Sequence, residues 1–148
     1  MSTRSLTLAE LRKHPAVDQV TSFPTPTLSG KATVAQDRDG PISLAYHIYG
    51  HGPVRILWLN GHGATLGGWR RQMEDFGLAQ PARYSSCFFS YRSLEDSTGP
   101  WKFPSVKDLA EDVIELLDHL GWTGKRQVHL VGCSFGGFIA QDVVRLSD

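Results

Sequence analysis

Apolar and polar residues fall in short blocks whose period changes along the chain, and those changes mark the elements. Residues 1–30 are rich in Ser, Thr and Pro and hold no sustained apolar pattern. Within them Thr7-Leu8-Ala9-Glu10 has capping-box spacing, which predicts a short helix to about Lys13. Pro15, Pro24 and Pro26 argue against longer regular structure, so residues 1–30 read as a flexible arm and residues 31–148 as the domain. Lys31 to Gln36 predicts a strand, Asp39-Gly40 a turn, and Ile42 to Tyr49 a second strand, together a hairpin. Val54 to Leu59 is apolar except for Arg55, as in a strand buried on both faces, and it runs into Asn60-Gly61-His62-Gly63. A helix is predicted from about Leu66 to Phe76, with Trp69, Met73 and Phe76 on one face. Cys87-Phe88-Phe89 marks a short buried strand, and Glu95 to Phe103, with Gly99 and Pro100, a loop.

The clearest helical period lies between Ser105 and Leu120. Val106, Leu109, Ala110, Val113, Leu116, Leu117 and Leu120 recur at helical spacing. Ser105 and Asp108 stand where a capping box places them, and Gly121 ends the helix. Asp108, Glu111 and Asp112 lie toward its N-terminal end, where the helix dipole favours negative charge. Gln127 to Val131 predicts the next strand and Gly136 to Leu146 the next helix. Strands alternating with helices predict an α/β domain, a mostly parallel twisted sheet of about five strands with flanking helices. Ligands of such sheets sit beyond the C-terminal strand ends, where the Asn60–Thr65 loop and the turn at Ser134 both fall.

Composition removes some function classes. Of 148 residues, 15 are basic and 15 acidic, so no charge excess attracts nucleic acid or an anionic membrane. No apolar run approaches the roughly 20 residues of a membrane span. Met1 to Leu11 lacks the apolar centre of a secretory signal. Arg4 and Arg12 fit a transit peptide, Glu10 does not, and the expected location is cytoplasmic. Cys87 and Cys133 are not spaced as a metal knuckle or a disulfide framework, which predicts reduced thiols and no metal site.

Candidate chemistry concentrates in Gly132-Cys133-Ser134-Phe135-Gly136-Gly137, between a strand and a helix. Gly-x-Ser-x-Gly in that setting is a nucleophile elbow. The turn holds its serine in a strained backbone conformation. Gly132 and Gly136 remove side chains that collide where the chain doubles back, and the following helix aims free N–H groups at the site. With the hairpin, the Ile56–Gly61 strand and turn and the long amphipathic helix, the chain resembles the α/β-hydrolase family from about Thr33 to Arg145. The resemblance implies an incomplete α/β-hydrolase fold. It also implies serine-nucleophile hydrolysis of an ester, amide or similar acyl bond of a small molecule, without a cofactor. Ser134 is then the nucleophile, and the backbone N–H groups of His62 and Phe135 are the oxyanion donors.

The chain also departs from the family's pattern. Where relatives often carry His-Gly, this chain has Asn60-Gly61, which keeps a polar side chain able to hydrogen-bond locally. Relatives often read Asp-x-Arg-Gly-x-Gly-x-Ser after the fourth strand; of that pattern Arg92 and Ser97 remain. The family's acid and histidine follow the serine. Here the later acids are Asp142 and Asp148, and no histidine follows. His62 is the histidine expected nearest Ser134. His129 and Cys133 are expected to be packed, His119 to close the long helix, His47 and His51 to lie at the surface, and Trp69, Trp101 and Trp122 to serve packing. The alternative is a truncated non-catalytic fragment or a binding pseudoenzyme, whose uncovered sheet edge invites a protein partner or self-association.

Overall fold

The computed structural model describes residues 7–15, 17 and 23–147. The remaining residues of the predicted arm, Arg4 among them, and Asp148 lie outside the described residues. Thr7 caps the helix Leu8–Arg12 through the expected reciprocal pair with Glu10. From Phe23 the arm runs against the sheet. Tyr49 Oη donates to the Pro24 carbonyl at 2.9 Å, and Thr27 Oγ1 accepts from Gly50 N–H at 2.9 Å.

Five strands form one open sheet in the order β1-β2-β4-β3-β5. They are β1 Leu28–Val34, β2 Ile42–Tyr49, β3 Val54–Leu59, β4 Tyr84–Phe89 and β5 Val128–Gly132. The sheet is mixed. The predicted hairpin supplies an antiparallel β1–β2 pair, and β2 also runs antiparallel to β4. β3 is parallel to both β4 and β5. β1 begins and ends earlier than the apolar pattern predicts. Its pairing starts at Leu28 opposite Ile48, and it stops where Ala35 turns to φ +57° and donates its N–H to the Glu115 carboxylate at 2.7 Å. β4 extends back through Ser85, whose hydroxyl donates to the Gly52 carbonyl at 2.7 Å and so is satisfied inside the sheet.

Each sheet face has its own core. Leu57, Leu59 and Phe89 pack with the helices Val106–His119 and Phe135–Ser147. Burying a side chain of that size contributes about 1.5–3 kcal/mol. On the other face Ile56, Trp58 and Phe88 pack with Leu66 and Met73, and Trp69 and Phe76 join them half-buried, as their spacing predicts. The segment carrying these residues is not one regular helix. It passes from a 3-10 turn (Leu66–Trp69) through an α turn (Arg70–Gln72) to a π turn (Met73–Leu78). Gly67 and Gly68 weaken helix formation at its start. Gly77 lies directly on Tyr49, where no side chain fits.

The helix Val106–His119 starts as predicted: Ser105 Oγ accepts from Asp108 N–H at 3.1 Å, and the Asp108 carboxylate accepts from Ser105 N–H at 2.8 Å. Asp112, expected to serve the helix dipole, does something else. It is 1% exposed, on the buried side of the helix. Its carboxylate accepts from Arg92 Nε and Nη2, both at 2.7 Å, and from Arg38 Nη2 at 2.7 Å. Arg92 Nη1 in turn holds both Asp39 oxygens, at 2.9 and 2.7 Å, and Arg38 reaches Glu115 at 2.6 Å. A buried charge is tolerated only when paired in this way. The network clamps the hairpin turn, the loop after β4 and the long helix together. Burial works against Arg92's charge, but its bonds to Asp112 and Asp39 outweigh that and raise its pKa. Arg92 in turn holds the Asp39 carboxyl below its ordinary value.

Candidate functional site

β3 and β5 end side by side, with Leu59 in register with Gly132, so the Asn60 loop and the turn at Ser134 leave the sheet together. Cys133 N–H donates to the Leu59 carbonyl at 3.1 Å. Ser134 then adopts φ +52°, a left-handed conformation that costs a non-glycine residue roughly 1–3 kcal/mol. The turn is held from both sides: Gly136 N–H donates to Cys133 O at 2.9 Å and Gly137 N–H to Ser134 O at 2.8 Å. A Cβ on Gly132 would stand 2.6 Å from Gly137 N, and one on Gly136 would overlap the Leu59 carbonyl and stand 2.6 Å from Asn60 O. Both glycines are therefore required by close approach. Gly61 faces the elbow, its added Cβ falling 3.5 Å from Ser134 Cβ.

The loop opposite the elbow is pinned at Asn60, which is buried. Trp69 Nε1 donates to its side-chain oxygen and Tyr91 Oη to its carbonyl, the latter at 3.1 Å. Asn60 thus makes the local hydrogen bond its polarity predicts. Ala64 N–H donates to Gly61 O at 3.2 Å and fixes the Gly61–His62 peptide. Among the described residues, neither His62 N–H nor Phe135 N–H has a backbone acceptor. Phe135 opens its helix, where first-turn N–H groups have no intrahelical partner.

The side chains around Ser134 are a different matter. The His62 ring is exposed, near-parallel to Phe103 at 6.5 Å between centroids and edge-on to Phe135 at 5.8 Å. No histidine or carboxylate hydrogen-bonds Ser134 among the described residues. Asp142 is tied to Arg145 at 2.9 Å within the helix. His129 and Cys133, expected to be packed, are exposed, because β5 is an edge strand and no described element covers its outer side. His119 touches the Tyr46 ring and hydroxyl, the latter at 3.3 Å. His51 is exposed, and His47 is half-buried, which lowers its pKa through desolvation.

Both surviving loop positions hold the chain in place. Arg92 belongs to the charge network above. Ser97 Oγ donates to Ser90 O at 2.7 Å and accepts from Ala45 N–H at 2.8 Å. Beside this loop opens a cavity of about 530 Å3, bounded by His62, Phe135, Tyr91, Trp101 and Phe103. Trp101, expected to pack, is fully exposed at its rim, and Phe103 is 87% exposed. Two large aromatics held between Pro100 and Pro104, outside any apolar period, were the available sign of such a wall. Among the described residues no group of three His, Cys, Asp or Glu side chains is placed to hold a metal ion. No described helix is long and apolar enough to cross a membrane.

A family model described as the alpha/beta hydrolase family matches residues 56–147. No curated protein matches the sequence. Among solved structures, the chain is similar to a thermophilic esterase from Thermogutta terrifontis, with 26% identity and a TM-score of 0.67 over 80% of this chain and 41% of that one. It is similar to a hydrolase from Pseudomonas aeruginosa PA01, with 27% identity and a TM-score of 0.64 over 78% of this chain and 40% of that one. An epoxide hydrolase from Vigna radiata, at 24% identity and TM-score 0.63 over 78% of this chain and 34% of that one, shares the fold. The chain spans less than half the length of each of these three proteins.

Proposed function

We propose that this chain, which belongs to the α/β hydrolase family, uses Ser134 as the nucleophile in hydrolysis of an ester, amide or similar acyl bond of a small molecule. Ser134 Oγ bonds to the carbonyl carbon as its proton passes to solvent, and the carbonyl oxygen becomes an oxyanion. Collapse of the oxyanion breaks the bond to the alcohol or amine, which leaves with a proton from solvent; water then cleaves the acyl-serine to the acid and restores the Ser134 hydroxyl. The N–H groups of His62 and Phe135 receive that oxyanion. One such donor contributes on the order of 100- to 1,000-fold in rate. The observation that carries the reading is the serine at φ +52° facing the Gly61 turn, with the His62 and Phe135 N–H groups having no backbone acceptor among the described residues. Acyl transfer of this kind needs no cofactor.

A second reading is favoured by a different observation. No base stands beside Ser134 among the described residues, and the outer edge of β5 is open. On that reading this length of chain is non-catalytic, a portion of a catalytic fold or a binding protein, and the β5 edge takes a partner strand or a second copy.

Hydrolysis of p-nitrophenyl acetate separates the two. p-Nitrophenolate is a weakly basic leaving group, so attack by the Ser134 hydroxyl on this ester is read directly as its release. The hydrolase reading expects turnover that Ser134→Ala abolishes while the far-ultraviolet circular dichroism stays unchanged. No turnover, or turnover that survives in Ser134→Ala, leaves the binding reading.

A further inference from the structure

The cavity beside the elbow has a chemistry of its own. It meets the elbow at His62 and Phe135, so a carbonyl oxygen held by their N–H groups directs one substituent of that carbonyl into the cavity. Its walls are aromatic or aliphatic: Tyr91, Leu94, Trp101, Phe103, Leu109 and Phe135. Among the described residues nothing covers Trp101 and Phe103, which leave large apolar surfaces bare at its rim.

Charge decides what kind of group enters. No carboxylate of the described residues lines the cavity. Arg92 does, but its side chain is 1% exposed and its charge is already neutralised by Asp112 and Asp39, which hold it through four hydrogen bonds. Lys102 and the His62 ring remain, both exposed. An exposed lysine returns little of the cost of taking a carboxylate out of water. A volume of about 530 Å3 lies within the range that holds compact organic ligands.

We infer that the cavity takes the uncharged apolar group of an acyl substrate, with Trp101 and Phe103 as the residues that select it. This rests on the hydrolase reading for the word substrate, but the binding preference does not depend on catalysis.

The test uses phenylacetamide as a neutral probe and succinamate as an anionic one, both amides, titrated against the protein and followed by tryptophan fluorescence and by the Trp101 indole resonance. Phenylacetamide binds at least tenfold tighter than succinamate. In Trp101→Ala with Phe103→Ala its affinity drops about tenfold and that of succinamate does not change. Both side chains are exposed, so the fold survives their removal; Phe103→Leu, which keeps apolar volume, retains most of the affinity. Equal or tighter binding of succinamate, or a double variant that binds phenylacetamide normally, overturns the inference. Failure of ester hydrolysis with the binding pattern intact counts against the hydrolase reading alone.

Discussion

Gly136 and Gly137 are neighbours in one helix, yet the structure predicts opposite signs for the same substitution. Alanine in a helix is favoured over glycine by roughly 0.5–1 kcal/mol. At Gly137 nothing opposes that gain, because the added Cβ meets only Gly132 O, at 3.9 Å. At Gly136 the added Cβ overlaps the Leu59 carbonyl and stands 2.6 Å from Asn60 O, where carbon and oxygen ordinarily keep about 3.3–3.6 Å. The obstructing atoms are backbone, so the elbow and the Asn60 loop must separate by about 1 Å. Overpacking of this kind costs about 1–3 kcal/mol, which exceeds the helix gain. With about 2–4 °C of melting temperature per kcal/mol at this size, Gly136→Ala melts several degrees below the wild type, and Gly137→Ala melts level with it or slightly above. The same displacement moves the proposed oxyanion donors relative to Ser134, and a shift of about 1 Å costs on the order of 100-fold in rate. Thermal melts by circular dichroism and p-nitrophenyl acetate turnover read both effects. The packing account fails if Gly136→Ala melts at or above the wild type, or if Gly137→Ala falls as far as Gly136→Ala.

Three further outcomes follow from the same structure. Asp112→Asn removes the charge that neutralises buried Arg92 and lowers stability on the order of 3 kcal/mol, read as a reduced urea midpoint; a change under about 1 kcal/mol contradicts the buried network. Arg92 holds the Asp39 carboxyl below its ordinary value of 3.8, so its contribution is fully present above that pH and is lost as pH falls toward the lower folded value. The melting-temperature gap between wild type and Asp39→Asn is therefore constant from pH 7 to 5 and narrows below about pH 4; a gap that widens there reverses the sign and refutes it. Ser105→Ala removes the cap of the long helix and costs about 0.5–2 kcal/mol in urea denaturation, and an unchanged midpoint shows that the cap carries nothing.

Much of the fold is legible in the sequence where one local rule decides. The Ser105–Asp108 cap, the apolar face behind it and the elbow glycines follow from spacing alone, and the structure places them as read. The loop at Asn60 is legible through its glycines and its position at a strand end. Other features depend on distant partners. Arg92 meets Asp112 and Asp39 across 20 and 53 positions, and no short pattern joins them. One sign was present: Asp112 falls among Leu109, Val113 and Leu116, so an acid sits on the apolar side of its helix. The exposure of His129 and Cys133 follows from β5 standing at the sheet's edge, a property of strand order rather than of the Val128–Gly132 residues themselves. The π turn Met73–Leu78 likewise contains Gly77, which lies on Tyr49, a contact made between two segments.

The central claim is that Ser134 is held as a nucleophile. The direct measurement is covalent trapping with a fluorophosphonate, followed by proteolysis and mass spectrometry. The account predicts one adduct, on the peptide containing Ser134, absent from Ser134→Ala. No adduct on the folded protein, or an adduct on any other residue, contradicts it.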